Sequence, residues 1–204
     1  MAVTLATGAL LTLVGLMAGL LLFWRLWFLR DPERVISERG IVSPADGRVL
    51  EVREVELPGS AAKGAGRFNF TGLGKRALMV SIFMSPLDVH VNRASIAGTV
   101  ERISYRKGAF HPAHSPAALE NESNEVIIRD GHLTVGVVQI AGVLARRIRC
   151  FVNVGQRVEK GQRIGLINLG SRACLLLPPD AHVLVTAGQR VLAGTSIIAE
   201  MGHG

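Results

Sequence analysis

Aromatic side chains are scarce in this 204-residue chain: one Tyr, two Trp and seven Phe, 5% in all. That supply is too thin for stacking platforms on single-stranded nucleic acid, and no nucleic-acid-binding motif accompanies it. Cysteine is scarcer still. Cys150 and Cys174 stand far apart without metal-ligand spacing, so they read as buried free thiols of a reducing compartment, with no disulfide and no metal. His111-Pro-Ala-His114 has no carboxylate or thiol companions at ligand spacing and reads as loop. Long helical periodicity is missing from the body of the chain, which excludes coiled-coil heptads. Acidic residues are the minority, 16 against 23 Lys and Arg, and the net charge of +7 favours an anionic partner such as a membrane surface.

What is present begins with residues 2–24, a run of 23 residues without a charge. At helical rise it spans roughly 30 Å, the thickness of a hydrocarbon core. A signal peptide would need a basic start and a small-residue cleavage site, and neither is there. Arg25, Arg30 and Arg34 follow the run and no charged side chain precedes it, so the positive-inside tendency puts the body on the cytoplasmic side of the plasma membrane. Trp24, Trp27 and Phe28 fall where an interfacial belt would lie. Gly15 and Gly19 read as ordinary membrane-helix glycines, and a hairpin dipping into one leaflet stays open as an alternative to a span. Asp31-Pro32 should end the helix. The expected division is a membrane helix over residues 1–30 and a β-rich domain over 31–204.

In that body, residues 49–55, 78–84, 98–103, 125–129, 133–140 and 147–152 read as strands, and 115–122 as a short helix. Residues 57–76 read as a loop, in which Phe68 and Phe70 could touch a membrane and the GxG pieces lack the context of a phosphate-binding loop. An internal repeat is the clearest architectural signal: residues 152–164 align with 185–197, with seven of thirteen positions identical. Each copy reads strand, Gly turn, Val, Gly turn, strand. This alternation resembles the barrel-sandwich hybrid of lipoyl and biotinyl domains, so the fold expected is mainly β and of that type. A carrier of that fold presents a lysine within Met-Lys-Met, and the chain has no such triplet.

Four segments go beyond scaffold. They are Val42-Ser43-Pro44-Ala45-Asp46-Gly47-Arg48-Val49, Phe83-Met84-Ser85-Pro86-Leu87-Asp88-Val89-His90-Val91-Asn92-Arg93, Gln139-Ile140-Ala141-Gly142-Val143-Leu144-Ala145-Arg146-Arg147-Ile148 and Leu169-Gly170-Ser171-Arg172. Taken alone, Gly170-Ser171 is a turn, Asp46 a turn residue and His90 a strand histidine satisfied by the backbone. In this order, after Leu29-Arg30-Asp31-Pro32-Glu33-Arg34, the set resembles the short bacterial and archaeal form of phosphatidylserine decarboxylase over essentially the whole chain. Asn121-Glu122 and the Gly155/Gly161 repeat fit the same pattern.

The resemblance implies a pyruvoyl enzyme. Ser171 would attack the Gly170 carbonyl, and the ester would eliminate and hydrolyse to a pyruvoyl cofactor, leaving a β chain of residues 1–170 and an α chain of 171–204. That carbonyl would form a Schiff base with the phospholipid amine and act as the electron sink for decarboxylation. His90 is the implied acid/base residue, and Asp46 matches the aspartate of an Asp-His-Ser relay. Longer members carry a second histidine three residues on, where this chain has Arg93, so the base for cleavage is open between His90 and backbone strain with Asp46. Arg93, Arg146, Arg147 and Arg172 are candidates for the lipid phosphate or carboxylate, and Asp88 for orienting the site or pairing with Arg93. The implied partners are an anionic phospholipid, the membrane, and the two chains of one precursor, with homo-oligomerisation open. The alternatives are an archaeal ether-lipid substrate, archaetidylserine, and a non-enzymatic membrane-anchored binding module.

Overall fold

A computed structural model describes residues 2–57, 75–143, 147–168 and 170–202. The expected loop tip with Phe68 and Phe70, and Arg146, lie outside the described residues. The chain forms two compact units, Met1–Pro32 and Glu33–Gly204.

The first unit is helix α1, Ala2–Leu22, continued by a wider π-helical turn, Phe23–Phe28. The helical path therefore stops before Asp31-Pro32, because the Leu29 N–H reaches back to the Trp24 carbonyl and opens the last turn. In that turn Trp24 stacks on Phe28, with ring centroids 4.5 Å apart, and the Arg30 guanidinium lies 4.5 Å over the Trp27 ring. Thr7–Phe28 is long and apolar enough to cross a membrane.

The second unit is built from strands, as expected. Its first half holds β1 (Ile41–Val42), β2 (Gly47–Glu56), β3 (Arg76–Met84), β4 (Val91–Arg93), β5 (Gly98–Arg106), β6 (Ser123–Asp130) and β7 (Leu133–Ile140). Its second half holds β8 (Ile148–Cys150), β9 (Arg157–Val158), β10 (Arg163–Ile167), β11 (Ser171–Leu177), β12 (Ala181–Val183), β13 (Arg190–Val191) and β14 (Ile197–Met201). The short helix is one 3-10 segment, Pro116–Glu120. Eight strands form a curled sheet in the order β13-β2-β3-β11-β7-β6-β5-β9, flanked by three-stranded sheets β4-β10-β8 and β1-β14-β12. The fold is mainly β.

Strand alternation divides the large sheet between two cores. On β11, Ala173, Leu175 and Leu177 join the main core with Val80, Ile82 and Met84 of β3. Cys174 and Leu176 join a smaller cluster with Met79, Leu119 and Ile140 on the other face. Burial on both faces explains why β11 reads as an unbroken apolar run. One expectation fails here: Cys174 is buried, but Cys150 is exposed, because β8 is a sheet edge.

The sequence repeat appears as quasi-two-fold structure. The Val49 N–H bonds the Gln189 carbonyl and the Val100 N–H bonds the Gln156 carbonyl; Gly194 bonds Ser43 as Gly161 bonds Ala94. Both long hairpins carry a bulge at the matching place, after Val49 in β2 and after Val100 in β5. A strap over residues 33–40 crosses both repeats. The Ser37 N–H bonds the Gly194 carbonyl, Lys160 Nζ bonds the Glu38 and Gly40 carbonyls, and Ile36 fills the space left by Gly161 and Gly194.

Gly47 and Gly98 open the two hairpins at equivalent positions, where a Cβ would lie 2.1 Å from the Phe83 carbonyl oxygen and 2.4 Å from that of Arg129. No side-chain adjustment relieves a clash with backbone. Gly98→Ala is expected to destabilise by about 3 kcal/mol. Gly155→Ala, where a Cβ meets open space and only the left-handed φ opposes it, should cost about 1–2 kcal/mol. Urea unfolding of the two variants in detergent checks the ranking.

Candidate active site

β3 and β11 are antiparallel neighbours with Met84 opposite Ser171, and β4 and β10 are antiparallel neighbours with Val91 opposite Leu166. The chain passes from β3 to β4 through residues 85–90 and from β10 to β11 through 168–170. Both segments therefore leave one sheet and enter another at the same place. The Ile167 N–H bonds the His90 carbonyl at 3.2 Å and keeps the two crossings side by side. Gly170 is in one of them and His90 in the other.

Gly170 has φ +63°, and a Cβ there would meet nothing within 4 Å. Its requirement is conformational, since left-handed backbone is costly for other residues. Ser171 follows as the first residue of β11, wholly buried, with its hydroxyl donating to Met84 Sδ at 3.5 Å. It shares the parity of Ala173 and so faces the main core. Arg172 faces the opposite side of the sheet.

His90 is also wholly buried. Its Nδ1 lies 2.9 Å from the Asp88 carbonyl oxygen. A carbonyl only accepts, so this contact assigns the proton to Nδ1 and leaves the neutral ring's lone pair on Nε2, the basic tautomer. The turn beneath is fixed by Asp88, whose Oδ2 accepts from the Ser85 N–H and hydroxyl and whose Oδ1 meets Arg190 at 2.6 Å. Asp88 thus pairs with Arg190. Arg93 is buried and donates to the Gly161 carbonyl at 3.0 Å, which ties β4 to the second repeat.

Asp46 lies on the segment against β4: the Pro44 carbonyl accepts from the Arg93 N–H at 2.9 Å. Its Oδ1 accepts from the Ala193 N–H at 2.8 Å and its Oδ2 from Arg34 at 2.6 Å. Burial pushes this carboxyl above the ordinary aspartate value, against the pull of the Ala193 N–H and Arg34, and the nearby Asp88 carboxylate pushes the same way. Such a group holds its proton more tightly folded than unfolded, so its contribution to stability falls as pH rises through that interval.

Two further residues of the site were quoted in the motifs without a role. Asn92 Nδ2 points at the Pro44 carbonyl (3.4 Å) and at Met84 Sδ (3.7 Å), the sulfur that Ser171 also touches. Gln139 Nε2 donates to Asn92 Oδ1 at 2.9 Å, and Asn124 Nδ2 donates to Gln139 Oε1 at 3.0 Å. This chain fixes the Asn92 amide orientation. Gly165 makes room for it, since a Cβ there would sit 2.5 Å from Gln139 Nε2. A Gln at the inward parity of Val135 and Val137 was the available sequence signal.

Arg172 is buried, bonded to Ser81 Oγ and paired with Glu51, with Nη1 3.2 Å from the Ser115 carbonyl. It borders a cavity of about 470 Å³, shared with Arg53 and His114, on the sheet face away from Ser171. Arg147 has an exposed side chain, and its carbonyl accepts from the Asn168 N–H beside the Gly170 turn. Asn121 holds the 109–111 loop by bonds to His111 and Ala141, so the match at that position marks a structural clamp.

Comparison with known proteins finds relatives along most of the chain. A family model described as phosphatidylserine decarboxylase matches residues 21–199. The chain is similar to a phosphatidylserine decarboxylase proenzyme of Symbiobacterium thermophilum, 46% identical over 191 residues, 92% of this chain and 83% of the relative. It is 43% identical over 189 residues to one of Pelodictyon phaeoclathratiforme, 91% of this chain and 83% of the relative. A third relative, from Methanothermobacter thermautotrophicus and named "Putative archaetidylserine decarboxylase proenzyme", is 40% identical over 195 residues, 94% of this chain and 86% of the relative.

Gln139→Leu keeps the volume and removes both links of the amide chain, leaving Asn92 and Asn124 each short of a buried partner. The expected loss is about 2–4 kcal/mol, against under about 1.5 kcal/mol for a volume-conserving swap such as Leu175→Met in the same core. Denaturant midpoints check the difference.

Proposed function

The chain belongs to the phosphatidylserine decarboxylase family, and we propose that it is a self-processing, membrane-anchored carboxy-lyase that converts phosphatidylserine to phosphatidylethanolamine. The observation that carries this reading is the crossing itself: a left-handed Gly170 and a buried Ser171 beside a buried His90 in its basic tautomer.

Self-cleavage follows from these groups. His90 Nε2 takes the Ser171 hydroxyl proton, and Oγ bonds to the Gly170 carbonyl carbon. The Gly170 C–N bond then breaks, the Ser171 nitrogen takes a proton, and an ester joins the two residues. Loss of the Ser171 α-proton expels the Gly170 carboxylate and leaves dehydroalanine. Water hydrolyses it to a pyruvoyl group and ammonia. The residues present suit such a group, because Arg172 and Ala173 are already in register between β3 and β7 and would hold it against Met84. The pyruvoyl group supplies an electrophilic carbonyl for the substrate amine and a sink for the electrons released with CO2.

The chain's own side chains do the rest. Met84, Ile82 and Ala173 line the site with apolar surface, which keeps water from the departing carboxylate. Once His90 Nε2 has taken up a proton, the imidazolium suits its delivery to the substrate α-carbon. Arg147, exposed beside the turn, suits the lipid phosphate, and helix α1 suits a membrane anchor that sets the body on the cytoplasmic face. The archaeal relative's name favours a second substrate, an ether-linked serine phospholipid, whose reacting headgroup is the same.

Purified wild-type protein is expected to run as two pieces under denaturing conditions, the smaller being residues 171–204, with its amino terminus blocked to Edman degradation. Ser171→Ala should give one full-length band and no CO2 from serine-labelled phosphatidylserine. An intact wild-type chain that reacts with no carbonyl reagent would refute the reading. Comparing ester- and ether-linked lipids in the CO2 assay separates the two substrates.

A further inference from the structure

We propose that Arg34 is a positioning residue for self-cleavage, which keeps the Asp46 carboxylate charged beside the turn that carries His90. This inference rests on the proposed self-cleavage at Ser171 and on the family resemblance that joins Asp46 to His90 in a relay.

The first ground is geometric. Arg34 and Asp46 meet at 2.6 Å with side chains only 15% and 7% exposed, so little water screens the pair. The Ala193 N–H takes the other carboxylate oxygen. Among the described residues Asp88, from the β3–β4 crossing, acts on Asp46 as a like charge, and its own Oδ1 meets Arg190 of β13. Without Arg34 the buried Asp46 carboxyl would lose its paired cation and keep only the Ala193 N–H, and would hold its proton more tightly.

The second ground is the quasi-symmetry. In the other half of the fold the position of Asp46 is taken by Ala97, and the strap crosses that half without a carboxylate there. The turn architecture is thus built once with a buried ion pair and once without. What the fold does not need in one copy is available for chemistry in the other.

The third ground is that the strap does not depend on Arg34 for its docking. Ile36 packs against Gly161 and Gly194, Ser37 bonds Gly194, Thr195 bonds the Val35 carbonyl, and Lys160 holds the Glu38 and Gly40 carbonyls. Removal of the Arg34 guanidinium leaves these contacts in place. The residue acts on Asp46 through its charge, and Asp46 in turn sets the field in which His90 receives a proton.

The test uses the full chain, newly made in a cell-free reaction with detergent micelles, and follows appearance of the 171–204 fragment by intact mass from about pH 6 to about pH 9. Arg34→Met should cleave about tenfold or more slowly near neutrality, with the acid limb of its rate profile moved up by about one pH unit or more and the rate recovering at the alkaline end. Arg34→Lys should restore most of the wild-type profile. An Arg34→Met profile equal to wild type, or lowered by one factor at every pH, would overturn the proposal, as would failure of Arg34→Lys to rescue. Asp46→Asn separates the underlying reading. It should not cleave at any pH; if it cleaves like wild type, Asp46 has no part in the reaction and the failure lies there. If Asp46→Asn is blocked while Arg34→Met is normal, the failure is of Arg34 alone.

Discussion

Much of this structure depends on one constraint: two extended segments must leave the large sheet at the same point. β3 and β11 lie side by side in its centre, and their continuations β4 and β10 (the latter running in) lie side by side in the smaller sheet. A backbone that turns out of a sheet cannot keep its ladder bonds, so the polar groups at the crossing need other partners. The Ile167–His90 bond, the Ser85–Asp88 turn and the Asn92–Gln139–Asn124 amides supply them. The proposed reactive groups and the buried Asn92 amide lie where regular pairing stops.

The scaffold around that crossing is duplicated while the chemistry is not. Both repeats use the same bonds at Val49 and Val100 and at Gly194 and Gly161. Only one places a carboxylate at the hairpin start, and only one faces the β3–β4 crossing. The asymmetry of charge within symmetry of backbone distinguishes residues that hold the fold from those kept at its expense. Arg93 and Arg172 are both buried and each bonds a backbone carbonyl of another segment, at Gly161 and at Ser115.

Much of this was legible in the residues. The apolar run of β11, the alternation in β3 and β7, and the Gly-spaced repeat each carry a local periodicity that geometry turns directly into strands and turns. The ordered motifs located the crossing before its shape was known. Roles that depend on which distant group arrives were not legible. Nothing local says that Arg190 meets Asp88, or that Arg172 looks away from Ser171 toward Glu51, because those pairings are set by strands more than a hundred residues apart in sequence. The wide turn at Phe23–Phe28 was hidden for a different reason: Arg25 and Asp31-Pro32 mark where the apolar run ends, and carry no signal of where the helical pitch changes.

The position of the Gly170–Ser171 bond also bears on what a cut there would do to the molecule. Residues 171–204 contribute β11 to the middle of the large sheet, β13 to its edge, and β12 and β14 to another sheet. A break at the crossing would sever no ladder, so the smaller chain would stay woven through the larger one. Unfolding would then no longer be the reverse of folding. The intact precursor finds its fold as one molecule, whereas two separated pieces would have to meet again and recover the lost connection entropy. Cleavage would turn a reversible fold into a one-time assembly, in which the mature protein persists because it stays folded.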